Sequence, residues 1–310
     1  MAGNTGDAGN TGDTGDTGVA GNSGTAGIQG ELGGGWFIED RVDLPFVTEL
    51  DPVDAPLGLQ RIGSAREFGE RAWGARWWAF LALHDFVATT WRATTDPVMA
   101  AAWGTVTGAS TSGDLDILVK AARDERAPAM GEILSQEVEF ITDFMALLMM
   151  TPGSRPNTYR VLHIASQIAS YAVLYYKGLK NRARPSQLLP ALLPPIPVPG
   201  HASWPSGHAT QAWLMTLCIE NVLTGSFAGT PLTGATPGTT AGTGDLGAIS
   251  SNLRTLAQRI ARNREIAGLH YPSDSDHGRL LADTIFPFLT SMAAGTRFQK
   301  AVAAAKQEWP

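Results

Sequence analysis

The stretch His201-Ala-Ser-Trp-Pro-Ser-Gly-His208 sets two of the chain's six histidines seven residues apart around a Pro-Ser-Gly corner. A hydroxyl and an uncluttered glycine N–H opening a helix are both donors, so Ser206 and Gly207 read as part of a cradle for an oxyanion. Upstream, Lys177 and Arg184 stand seven residues apart, two helical turns, and can share one helix face. Taken alone they also read as a solvated basic helix end, since Lys180 and Arg182 lie between them. Downstream, Arg264 is followed by His270 and Asp274, and Tyr271-Pro272-Ser273 suggests a bend that returns the carboxylate to the ring. A carboxylate on one ring nitrogen fixes the tautomer and raises the basicity of the other. By itself such a pair is more often a structural hydrogen bond than a catalytic one.

The three segments together are more specific. Lys177-x6-Arg184-Pro185, Pro205-Ser206-Gly207-His208 and Arg264-x5-His270-x3-Asp274 resemble the three-part signature of the lipid-phosphatase and vanadium-haloperoxidase superfamily, over roughly residues 135–290. The family usually has serine before the third-motif arginine; here Asn263 stands there and still carries a donor. The resemblance implies an all-α helical bundle. It implies that Lys177, Arg184 and Arg264 neutralise a tetrahedral oxyanion, with Ser206 and Gly207 adding hydrogen bonds. His270 would approach the central atom, oriented by Asp274, and His208 would exchange protons from the opposite side.

Phosphate and vanadate share shape and charge, so one cradle serves either. With a phosphate ester, His270 would be the nucleophile and His208 the acid for the departing alcohol. With vanadate as cofactor, His270 would be the axial ligand of the vanadium, and hydrogen peroxide and a halide (bromide or iodide) the substrates. The stretch "HASWPSGHAT" resembles the matching part of algal bromoperoxidases, which implies that His201 lies beside the bound anion. Against this, "HYPSD" resembles phosphatase relatives more than haloperoxidases, and the chain is short for the algal and fungal enzymes. The expectation is a vanadium-dependent haloperoxidase. The alternative is a soluble acid phosphatase that cleaves phosphate monoesters through a phosphohistidine, without a cofactor. A non-enzymatic phosphate-binding scaffold would require the acid–base residues to be dispensable.

The rest of the chain must position these groups. Its 310 residues and 44% hydrophobic content are enough for a large core. Net charge is −6, of which Asp7, Asp13, Asp16 and Glu31 in residues 1–35 carry −4, so the body is near neutral and lacks the basic footprint of a nucleic-acid binder. Cys218 is the only cysteine, which excludes an intrachain disulfide and suits a buried apolar role. No segment approaches the ~20 apolar residues of a membrane helix. No basic segment leads into an apolar run at the N-terminus, so a cytoplasmic protein is the default, with export left open.

Glycine recurs at every third position from Gly3 to Gly33. That is the collagen period, but without proline it reads as a disordered low-complexity arm over 1–35. An ordered arm packed on a partner subunit, in keeping with an expected homo-oligomer, is the alternative. Residues 36–310 read as one helical domain, entered by an extended segment (36–56) and interrupted by a flexible loop at 224–248. Helical spacing joins Phe68, Trp73, Trp77, Phe80, Leu81 and Phe86 within 65–94. "DLDILVKAARDER" has the acidic start and basic finish of a helix, and "ILSQEVEFITDFMALLMM" is apolar enough for the centre of a bundle. A long helical pattern from Ser154 is stopped by Pro185. Further helices follow "PSGH", resume near Ile249, and end with "HGRLLADTIFPFLTSMAA". His84, His163 and His277 read as helix-surface or partly buried histidines outside the site.

Overall fold

The computed structural model describes residues 43, 68–70, 73–224 and 245–309. The glycine-repeat arm, the entry segment and nearly all of the low-complexity loop lie outside the described residues. Within the described residues the chain is all-helical, with no strand. Helices α1 (Ala75–Val87), α2 (Trp91–Gly104), α3 (Gly108–Asp124), α4 (Arg126–Val138) and α5 (Ile141–Leu147) lead to the long α6 (Pro156–Lys180). A short α7 (Pro185–Leu188) and a 3₁₀ turn (Pro190–Leu192) follow. Then come α8 (Gly207–Thr224), α9 (Asp245–Ile266), α10 (Pro272–Thr290) and α11 (Arg297–Lys306). No helix among the described residues is long and apolar enough to cross a membrane.

Helix α8 is the centre of the bundle. It packs on α6, α9 and α10, and its sequence is apolar on every face, as a fully surrounded helix requires. Among its polar exceptions, Gln211 Nε2 donates to Ser166 Oγ and Ser170 Oγ of α6, at 2.9 and 3.0 Å. Cys218 lies fully buried in this core. On the far side, Glu308 accepts the backbone N–H groups of Asn157 (2.7 Å) and Thr158 (2.8 Å), donors that the first turn of α6 leaves unpaired.

Several boundaries differ from the sequence expectation. The 65–94 pattern is two helices broken at 88–90, and the buried face of α1 is Trp78, Ala79, Ala82 and Phe86, whereas Trp77 and Phe80 are exposed. Phe68 and Trp73 precede α1. The apolar run expected in the bundle centre is split by Glu139-Phe140 and leaves Leu134, Val138 and Met149 exposed. Helix α3 begins at Gly108, where Thr107 and Ser110 cap each other, ahead of its acidic residues. Helix α11 continues beyond the segment expected to be last.

One boundary shapes the site. Helix α6 stops at Lys180, before Pro185, with Asn181 in the left-handed conformation (φ 48°). Lys177 and Arg184 therefore do not share a helix face. Beyond Asn181 the chain has no helical bonding, and burial alternates: Arg182 and Arg184 are buried, Asn181 and Ala183 exposed. This two-residue period turns two arginines inward where helical spacing would admit one.

Candidate active site

Three chain reversals bring the motif residues together. The first is the turn after α6, just described. The second ends α9. Leu269 N–H bonds to Arg264 O (3.0 Å) and Gly268 N–H to Glu265 O (2.7 Å), with Gly268 at φ 77°. This is a Schellman closure, and its left-handed position favours glycine. It turns the chain so that His270 reaches Arg184, with Arg184 Nη1 3.4 Å from His270 Nε2. Arg126 secures the closure by donating to Ile266 O (3.0 Å) and to Leu192 O (2.8 Å), the ends of α9 and of the 3₁₀ turn. The third is the corner that opens α8, where Ser206 N–H donates to Asp274 O at 3.0 Å. There α10 approaches α8 so closely that a β-carbon on Gly278 would lie 2.8 Å from Ser206 O.

Within these turns, Lys177, Arg184, Ser206, Gly207, His208, Arg264, His270 and Asp274 are all buried. Lys177 Nζ donates to Ala202 O (2.6 Å) and Ser203 O (2.9 Å). Arg184 donates from Nε to His201 O (3.0 Å) and from Nη1 to Leu269 O (2.9 Å), and its Nη2 stands 3.0 Å from His201 Nδ1. A guanidinium only donates, so His201 Nδ1 would accept in that contact, whereas toward Ala202 O, 3.1 Å away, it would donate. Arg184 thus binds the 201 loop to the 269–270 turn, and its Nη1 reaches within 3.4 Å of His270 Nε2.

Arg264 differs from the other two cations. It is 0% exposed, and one nitrogen donates to Ile133 O at 2.8 Å. Its Nε and Nη1 are buried with no hydrogen-bond partner, as is His201 Nε2. No ion pair to Lys177, Arg184 or Arg264 occurs among the described residues. Burial lowers both arginines to about 10 and drives Lys177 well below its ordinary value, with Arg184 adding to the effect. The arginines stay charged at neutral pH; Asp274 acts on Lys177 and Arg184 and Glu137 on Arg264 without salt-bridge contact, and buried cations so incompletely paired are costly.

His270 Nδ1 lies 3.2 Å from Asp274 Oδ2, as the spacing suggested. Burial, with Arg184 and Lys177 nearby, pushes the imidazole well below its ordinary value although Asp274 opposes the shift. Burial raises the Asp274 carboxyl, but His270, Arg182 and Ser203 outweigh it and hold the group ionised. The ring is therefore neutral, with its Nδ1 hydrogen on Asp274 and its Nε2 lone pair toward the cations. Asp274 also accepts Tyr271 N–H (3.2 Å), so one carboxylate orients the imidazole and caps α10. His208 is buried and pushed well below its ordinary value by burial and Arg264. Burial, Lys177 and Arg184 lower His201 to about 3.

Two groups in this cluster carried no expectation of a role. Arg182, which sequence left as part of a basic helix end, donates to Asp274 Oδ1 at 2.6 Å and lies 3.7 Å above the Tyr271 ring. Ser203 Oγ donates to Asp274 Oδ2. The alternation of Asn181-Arg182-Ala183-Arg184 was the available signal for Arg182; Ser203 had none. Of the other histidines, His84 is exposed, His163 is buried against Tyr159, and His277 accepts from Trp204 Nε1 at 2.7 Å. Among the described residues no group of three or more His, Cys, Asp or Glu side chains could hold a metal ion.

The chain matches no protein-family model and no curated protein sequence.

Proposed function

We propose that this is a vanadium-dependent haloperoxidase, a member of the superfamily its three motifs resemble, which binds vanadate in this cluster and oxidises bromide or iodide with hydrogen peroxide. The observation that carries the reading is Arg264: a fully buried guanidinium with two donors unpaired and no carboxylate in salt-bridge contact, Glu137 acting on it only from farther off. Such a group calls for a resident oxyanion. The donor set fits vanadate. Arg264 Nε and Nη1, with Lys177 and Arg184, would hold its oxygens at the start of α8, where Gly207 and the helix dipole favour negative charge. His270, its Nδ1 hydrogen on Asp274, has its Nε2 lone pair beside Arg184 Nη1 (3.4 Å) and would offer it to the central atom of a bound oxyanion. Vanadate would supply Lewis acidity toward peroxide.

The protein's part is to bind, orient and move protons. Arg182 and Ser203 hold Asp274, and Asp274 holds His270. His208 exchanges protons with the bound anion. His201 stands beside the cations, its Nδ1 between Arg184 Nη2 (3.0 Å) and Ala202 O (3.1 Å) and its Nε2 unpaired. A second histidine with a free ring nitrogen at this position supports the peroxidase reading.

The "HYPSD" segment favours a second reading, a phosphatase. His270 Nε2 would attack phosphorus, His208 would give its proton to the departing alcohol, and water would then release phosphate from the phosphohistidine. Protein stripped of bound oxyanion, assayed with and without orthovanadate, separates the two. Vanadate-dependent bromination of a phenol dye supports the haloperoxidase, and His201→Ala then lowers it. Aryl phosphate hydrolysis that vanadate inhibits, with no bromination, establishes the phosphatase. Neither activity would overturn both.

A further inference from the structure

A ledge outside the three motifs holds the far side of His208. Gln136 O, in the last turn of α4 where carbonyls lack intrahelical partners, meets His208 Nε2 at 3.0 Å. Phe140, just beyond α4, stacks on the His208 ring at 4.8 Å between centroids. The Gln136 side chain is held at both ends. Its Oε1 accepts from Asn263 Nδ2 (2.9 Å) and its Nε2 donates to Asp143 Oδ2 (3.0 Å). Asn263 Nδ2 also donates to Glu132 Oε2 at 2.9 Å. The carboxylates only accept, so each amide has one orientation. Two Nδ2 hydrogens serve two acceptors, which a single hydroxyl hydrogen at residue 263 could not do. Gln136 and Asn263 are both buried.

We infer that Gln136, anchored by Asn263, is a positioning residue for His208: it keeps a hydrogen on Nε2 and leaves Nδ1 as the nitrogen that exchanges protons with the bound oxyanion. The inference rests on the anion-site reading for what Nδ1 serves, but the contacts stand independently of it. A carbonyl cannot donate, so Nε2 keeps its hydrogen in both protonation states of the ring. Only Nδ1 then titrates during turnover, and no tautomer has to be selected. Because Gln136 acts through its main chain, its pinned side chain matters by holding that carbonyl at a helix end that would otherwise fray.

The test uses the full chain with ¹⁵N-labelled histidine, with His208 assigned from the signal lost in His208→Ala. Wild type should show a slowly exchanging Nε2–H. In Gln136→Ala and Asn263→Ser, that hydrogen should exchange at least about tenfold faster, and kcat of whichever reaction the wild type performs should fall about tenfold at unchanged KM, the scale of one hydrogen bond. Neither substitution should lower kcat further in a His208→Ala background. A hydrogen on Nδ1 in the wild type, unchanged exchange in both variants, or an equal loss without His208 would overturn the inference. If Gln136→Ala fails to fold, Asn263→Ser decides. A wild type with neither activity, whose Nε2–H is held and then loosened in the variants, supports the positioning role and overturns only the functional reading.

Discussion

Arg182 Nη1 lies 2.6 Å from Asp274 Oδ1, and neither side chain is more than 6% exposed. The guanidinium also donates to Ser273 Oγ and Thr111 Oγ1, and Asp114 stands 3.6 Å away. A residue outside the anion-binding motifs thus supports one within them. Asp274 can remain ionised in the interior, and keep His270 in one tautomer, because Arg182 supplies its counter-charge.

Replacing Arg182 by Met should therefore harm the site through Asp274, the motif residue it holds. Removing one partner of a buried pair costs about 3–5 kcal/mol. The midpoint of urea unfolding should drop accordingly, and kcat should fall because His270 loses its fixed orientation. Asp274→Asn should cost activity by up to about 10⁴-fold, the scale of losing a tautomer-fixing carboxylate. Near-normal rates in both variants would remove Asp274 from the mechanism.

Arg264→Leu should show opposite effects with and without anion. Without an oxyanion the variant removes an unpaired buried charge and should be as stable as wild type or more so. Orthovanadate at about 100 times its Kd should stabilise wild type by about 2.7 kcal/mol. It should leave the variant almost unchanged. Thermal melts with and without vanadate measure both, and equal stabilisation of the two proteins would contradict the anion-site reading.

Acid should destabilise the protein earlier than its carboxylates require. His201 and His208 are held below the ordinary imidazole value of about 6.5. Below that value the unfolded chain binds protons that the folded site refuses, so stability is complete above about 6.5 and falls with pH toward the folded values, about 3 for His201. Asp274, held low, contributes stability above the ordinary carboxylate range, and loses it only at lower pH. The imidazole contribution to the urea midpoint should be flat from pH 8 to 7 and decline below about 6.5, added to the slope of Lys177, which is also held well below its ordinary value. A midpoint unchanged down to pH 5 would place those rings in a more solvated setting.

Gly278→Ala tests the corner that opens α8. The new carbon would lie 2.8 Å from Ser206 O, 3.0 Å from Thr210 Oγ1 and 3.1 Å from Ala209 Cβ. Backbone must move to admit it, at a cost of about 1–3 kcal/mol. Both the melting temperature and turnover should fall, because the displaced atoms belong to the cradle.

Local patterns were enough for the all-α class and for a helix after Pro205-Ser206-Gly207-His208, both of which follow from helical periodicity. They set another segment in the bundle centre, where α8 lies, and carried no expectation of the glycine closure after Arg264. The type and order of Lys177, Arg184, Ser206, Gly207, His208, Arg264, His270 and Asp274 were also visible along the chain, and the fold gathers them. Which groups stand behind them was not visible. Arg182 faces Asp274 because Asn181 ends α6 and starts an extended segment. Ser203 meets Asp274, and Gln136 meets His208, across gaps of 71 and 72 residues. A hydrogen bond depends on distance and direction between particular atoms, and packing of remote helices sets both. The chain's own order specifies the groups proposed to hold an anion; only the packed bundle decides which side chains keep them charged, neutral and aimed.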